Sequence, residues 1–302
     1  MKQFKVKRLL IVLSFIICAL SYSAAERRLV WSDEFNRDGR PDSTSWNFER
    51  GFVRNHEAQW YQEQNAWQQD GLLIIEARRE HRPNPTYIPP EGEGGQTSAN
   101  STRRSRRTSW GQQRQWIEYT SACMTTMGKH EFLYGSLEVC ARIPTAGGAW
   151  PAIWTLGSGM PWPSCGEVDL MEYYPIKGVP HILANVAWDN DRPYEAVWNS
   201  RRVPFSHFTD KNPDWAQYFH VWRMDWDEQS IRLYLDDELL NEVPLSSTQN
   251  GSIGHHTNPF TRPQYILLNL ALGGDNGGDI DDSAFPMRYE IDYVRVYEKS
   301  QE

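Results

Sequence analysis

A chain of 302 residues with a formal net charge of −8 has room for one large core or two small ones. Its acidity argues against a nucleic-acid partner and, less strongly, against a polyanionic substrate. Fourteen tryptophans are more than a sandwich core alone calls for, and an indole face suits the apolar face of a sugar ring.

The first 25 residues read as a secretory signal. Lys2, Lys5, Lys7 and Arg8 form a basic start, Leu9 to Leu20 an apolar run too short to span a bilayer, and Ser23-Ala24-Ala25 a cleavage site. Bulky Ile17 before Cys18 disfavours lipid attachment. Removing four basic residues and no acidic one takes the net charge from −8 to about −12. Residues 26–302 are expected to form one domain, secreted to the periplasm or beyond, monomeric and without a transmembrane segment.

From Leu29 onward, short apolar or alternating runs are separated by turn residues. Strands are expected at Leu72–Ala77, Tyr119–Thr126, Leu137–Ile143, Ala152–Leu156, Glu167–Tyr173, Ile182–Trp188, Phe219–Trp226, Ile231–Leu235, Tyr265–Leu272 and Tyr289–Tyr297. Helical periodicity is scarce, so the fold class is an all-β sandwich of antiparallel sheets. Pro83–Gln115, rich in Pro, Gly, Ser and Arg, is a long loop: either a solvated insertion or a shaper of a cleft. Cys123 and Cys140 lie on two expected neighbouring strands, where a disulfide and free thiols are both open readings; Cys165 reads as a packed thiol.

The stretch Gly166-Glu167-Val168-Asp169-Leu170-Met171-Glu172-Tyr173 carries the chemistry. In a regular strand Glu167 and Asp169 share a face, and Glu172 falls among the apolar residues opposite. Burying a lone carboxylate there would cost several kcal/mol. A β-bulge near Met171 resolves the conflict by bringing all three acids to one face. Glu167 and Glu172 Cα atoms would then lie about 13 Å apart, close enough for two leaning side chains to act on one glycosidic bond. Asp169 between them would raise the pKa of Glu172 by like charge, and hydrogen-bond Glu167. A solvated acidic strand or a calcium-binding strand fits the same spacing.

This stretch resembles the Glu-x-Asp-x-x-Glu motif of glycoside hydrolase family 16 in its laminarinase-like form. Trp31–Phe35, Tyr119–Ala122, Tyr134–Glu138, Trp150–Gly157, Asn269–Gly274 and Ile291–Tyr297 resemble segments of the same family. The resemblance implies a β-jelly-roll of two curved antiparallel sheets with an open concave cleft. It implies a retaining endo-glycosidase acting on β-1,3 or mixed β-1,3/1,4-glucans, with Glu167 as nucleophile, Asp169 assisting and Glu172 as acid/base. It places Trp150 and Trp154 in the cleft, and Arg54 and Asn55 near the non-reducing-side subsites. Catalysis needs no cofactor, and the family's structural Ca²⁺ would fall to Glu34, the Gly71 carbonyl and Asp292. Where many laminarinases carry a histidine-containing segment, this chain has Ile182–Trp188; Trp188 is read there as a sugar platform, a core tryptophan being the other reading. Action on agar or carrageenan, and glucan binding without catalysis, are the competing functions.

Overall fold

A computed structural model describes residues 27–90 and 109–299. The expected signal and the middle of the Pro83–Gln115 loop lie outside the described residues. In chain order the strands are β1 Arg27–Asp33, β2 Asn47–Phe48, β3 Gln59–Tyr61, β4 Ala66–Gln69, β5 Leu72–Pro83 and β6 Trp116–Ser121. Next come β7 Cys123–Thr125, β8 Glu131–Phe132, β9 Gly135–Arg142, β10 Ala149–Gly157, β11 Glu167–Ile176 and β12 Val179–Asp189. The last are β13 Ala196–Pro204, β14 His220–Trp226, β15 Ser230–Leu235, β16 Glu238–Pro244, β17 Gln264–Leu272 and β18 Met287–Lys299. Helical pieces among the described residues are at most four residues long.

The strands form two sheets. One runs β16-β15-β14-β9-β18-β5-β6-β3, with β1 also on β18 and β4 on β5; the other runs β13-β12-β11-β10-β17-β7-β2, with β8 on β17. Apart from the parallel β3–β6 pair, neighbours are antiparallel. Alternation decides which side chains meet between the sheets. Leu137, Val139 and Ala141 of β9 pack in one core with Val168 of β11, Ala184 and Val186 of β12, and Leu268 and Leu270 of β17. Fully burying one such aliphatic side chain stabilises the fold by about 1.5–3 kcal/mol.

The second sheet is also covered in part on its outer face. All nine residues of β17 are buried, because Tyr61 and Trp154 cluster over Leu267 and Tyr265 on that side. This outer layer is the floor of a cleft.

Two expectations change here. Tyr119–Thr126 is not one strand: β6 belongs to the first sheet and β7 to the second, with Ala122 at the crossing. Cys123 and Cys140 therefore sit in different sheets rather than on neighbouring strands, and all three described cysteines are free and buried. Cys123 faces the cleft floor, while Cys140 alternates with the core residues Val139 and Ala141 and so faces away from them. A disulfide needs Cα atoms within about 7 Å, and packed sheets lie about 10 Å apart.

Candidate active site

The acidic strand begins from a tight junction. The loop between β10 and β11 returns so closely that a Cβ on Gly157 would stand 2.1 Å from the Cys165 carbonyl oxygen, and Gly166 has φ +77° with Pro259 against it. Only glycine fits either place. Glu167 follows at once, held at the rim of the cleft.

The bulge is present. Along β10, Trp154 stands opposite Asp169 and Ile153 opposite Met171; along β12, Asn185 stands opposite Asp169 and Leu183 opposite Glu172. Both ladders shift between Asp169 and Glu172, so the consecutive residues Leu170 and Met171 both enter the core with Val168 and Tyr173. Glu167, Asp169 and Glu172 line one cleft of about 620 Å³.

Side-chain donors reach all three acids. Trp150 Nε1 donates to Glu172 Oε1 at 2.8 Å, and Asn185 Nδ2 donates to Glu172 Oε2 at 2.9 Å and to Asp169 Oδ2 at 3.1 Å. Trp162 Nε1 donates to Glu167 Oε2 at 2.5 Å. Burial pushes the Glu172 carboxyl up to about 7, with the charge at Glu167 adding to it, while its hydrogen bonds oppose the rise. Burial raises Glu167 too, opposed by the Trp162 and Asp169 hydrogen bonds and the Arg54 charge. Asp169 is driven well above the carboxylate range by burial and then by the glutamate on either side. A hydrogen bond between Asp169 and Glu167 adds to this rise and holds Glu167 down. This revises the role expected of Asp169: burial and Glu167 lift Glu172, and the Asp169 hydrogen bond works the other way.

Trp150, Trp154, Arg54 and Asn55 all line the cleft. Trp154 donates to Asn269 Oδ1 at 2.7 Å. The Arg54 guanidinium lies 5.1 Å over the Trp154 ring and pairs with Glu49. Trp188 does not join them. Asn185 occupies the cleft face of β12, so Ala184, Val186 and Trp188 alternate into the core. The exposed indole on that side is Trp198 of β13, opposite Ala187. Sequence reasoning also passed over Asn185, Trp162, Tyr174 and Arg202. Asn185 had a signal, as the one amide in an apolar strand. Tyr174 had another, since the bulge puts it on the face of Glu172.

The expected calcium ligands converge along β18. Asp33 pairs with Val294 and Leu73 with Ile291, which brings Glu34 and Gly71 toward Asp292, at the place where the β18–β9 register shifts. The Glu34 carboxylate is taken on both oxygens by Arg295, at 2.9 and 2.7 Å. With that carboxylate engaged, the expected set would be the Glu34 and Gly71 main-chain carbonyls and the Asp292 carboxylate, oxygen groups of the type that suits a hard cation. Among the described residues no three His, Cys, Asp or Glu side chains gather as a metal site.

The family profile described as Glycosyl hydrolases family 16 matches residues 91–295. The chain is a glycoside hydrolase of family 16. A beta-glucanase of Rhodothermus marinus is 34% identical to this family 16 enzyme over 291 residues, covering 92% of this chain and 87% of that protein. The laminarinase catalytic domain of Thermotoga maritima superposes with a TM-score of 0.69 at 30% identity, over 91% of this chain and all of that one. A structure from human gut microbiota, concerned with endo-acting O-glycanases that initiate mucin breakdown, gives a TM-score of 0.73 at 30% identity, over 91% of each chain. The two sheets are those of the laminarinase jelly-roll.

Proposed function

We propose that this enzyme is a secreted, retaining endo-glycosidase that cuts β-1,3 or mixed β-1,3/1,4-glucans by double displacement. The observation that supports this most is the bulged strand, which sets Glu167, Asp169 and Glu172 on one cleft face. The Glu167 carboxylate attacks the anomeric carbon while Glu172 gives its proton to the departing glycosidic oxygen, so the glycosyl–oxygen bond breaks as the glycosyl-enzyme ester forms. The Glu172 carboxylate then takes a proton from water, whose oxygen displaces Glu167 and restores the starting configuration. Asp169, by donating to Glu167, steadies the nucleophile between the two steps. Glucan is favoured by the β-glucanase and laminarinase relatives. The mucin-associated neighbour supports a second reading, in which a mucin O-glycan or another non-glucan polysaccharide enters the same cleft. Reducing-sugar release from laminarin, barley mixed-linkage glucan, agarose, carrageenan and mucin glycans separates the two. Activity confined to the last three would overturn the glucanase reading.

Asn185 ties the acid/base to its neighbour. Its amide stabilises ionised Glu172, so Asn185→Ala is expected to raise the Glu172 pKa above its present value of about 7. Because Glu172 starts the cycle protonated, the basic limb of kcat/KM should move to higher pH, with kcat down roughly tenfold, the size of one hydrogen bond to a charged group. An unmoved basic limb would show that Asn185 does not act on Glu172.

A structural calcium is part of the same proposal, held by the carbonyls of Glu34 and Gly71 and by Asp292. It would clamp the end of β1 and the start of β5 to β18 and take no part in catalysis. Calcium at about 100 times its Kd should stabilise the fold by about 2.7 kcal/mol, raising the unfolding midpoint by roughly 5 °C or more over the chelated protein. Asp292→Ala should abolish the difference. Equal midpoints of the wild type with calcium and with chelator would remove the site.

A further inference from the structure

Two indole N–H groups serve the two glutamates, and they are built differently. Trp150, which donates to Glu172, is 4% exposed, while Trp162, which donates to Glu167, is 37% exposed. Trp150 is fixed in a central strand. Trp162 sits in the short loop between β10 and β11, and that loop is anchored on both sides. Cys165 N bonds the Pro161 carbonyl, Gly166 N bonds the Pro163 carbonyl, and Asn250 Nδ2 bonds the Ser164 carbonyl at 2.8 Å. The Gly157 contact with the Cys165 carbonyl leaves no space for the loop to settle lower. A rigid loop thus holds an indole out in the cleft with its edge aimed at the acid that opens the sugar bond.

We propose that Trp162 is a positioning residue for the nucleophile: its indole N–H fixes one oxygen of Glu167, while the ring face stays free for the glycan. Glu167 stands beside Asp169 and a second carboxyl at Glu172. The Trp162 hydrogen bond goes to Glu167 alone of the three and opposes the rise that burial imposes on it. The bond engages Oε2 of that carboxyl. This inference rests on the reading of Glu167 as nucleophile.

Trp162→Phe removes the donor and keeps an aromatic face. On the best polysaccharide substrate it is expected to lower kcat roughly tenfold, the worth of one hydrogen bond to a charged group, with KM changed less than kcat. The acid limb of kcat/KM should move to higher pH, because the undonated carboxylate holds its proton more tightly. Benzothienylalanine at position 162, which keeps the shape of the indole and replaces N–H by sulfur, should reproduce both effects without disturbing the loop. A benzothienylalanine enzyme with the wild-type kcat and acid limb would overturn the proposal and leave Trp162 as a stacking surface. Failure of the underlying reading looks different: Glu167→Ala would then turn over substrate like wild type, whatever stands at 162.

Discussion

Glu167→Ala is expected to lose roughly 10⁴-fold or more in kcat on any glycan the enzyme cuts, the scale on which a covalent nucleophile matters. Glu167 enters the cleft from a junction shaped by two glycines and is steadied by Trp162, Asp169 and Arg54. Its own side chain supplies little packing, so the variant should fold. Its unfolding midpoint at neutral pH should match or exceed wild type, because a folded state that raises a carboxyl pKa is less stable once that group ionises. Removing one of three crowded acids relieves this. Kinetics on laminarin and thermal unfolding at pH 7 check the two halves. Wild-type turnover would refute the nucleophile, and a collapsed midpoint would show that Glu167 holds the fold instead.

Glu172→Gln is expected to lose about 10²–10⁴-fold on natural glycans, the range for a general acid. Far less should be lost in the first step on an aryl glycoside whose leaving group needs no proton. The wild-type kcat/KM should fall above about pH 7, where Glu172 ionises, and in the variant that basic limb should vanish. The stability sign follows from the same shift. Folded Glu172 holds its proton to about pH 7, whereas an unfolded glutamate releases it near 4.3. Its contribution to stability is therefore complete at low pH and is lost as pH rises through that window. Glu172→Gln should accordingly gain more in unfolding midpoint at pH 8 than at pH 4. Equal loss of rate on both substrate types would sink the acid/base role.

The catalytic strand was legible because its conflict is local. Three acids and four apolar residues cannot satisfy strict alternation, and one extra residue is the smallest repair, now found across Leu170 and Met171. The central strands were legible for a similar reason, since apolar runs bounded by Gly and Pro have few other uses. β13 was not: its nine residues include two polar and two basic ones, and only Val203 is buried. An edge strand pairs on one side and asks little of its side chains. Losing β13 hid Trp198, and the sugar-facing indole was assigned to Trp188 instead. The facing of Trp188 depends on the neighbouring amide, since with Asn185 on the cleft side the indole three residues on must enter the core. Trp162 was hidden for another reason. Its bond to Glu167 depends on how a loop closes, and loop closure leaves no periodic trace. The role of Asp169 needed its burial, which spacing does not reveal: at 2% exposure its carboxyl is driven well above the ordinary carboxylate range.

The free cysteines bear on how this enzyme is made. Burial takes the Cys140 and Cys165 thiols up to about 12 and the Cys123 thiol well above its ordinary value, so almost no thiolate exists at any pH in which a glycan hydrolase works. Among the described residues, thiol-directed oxidants and alkylating reagents meet only buried cysteines in the folded enzyme. The two sheets, held by core packing with no bridge among the described residues, assemble equally in an oxidising and a reducing compartment. Production in a reducing cytosol therefore requires no disulfide isomerase, and thiol reductants in a reaction mixture leave the catalyst intact.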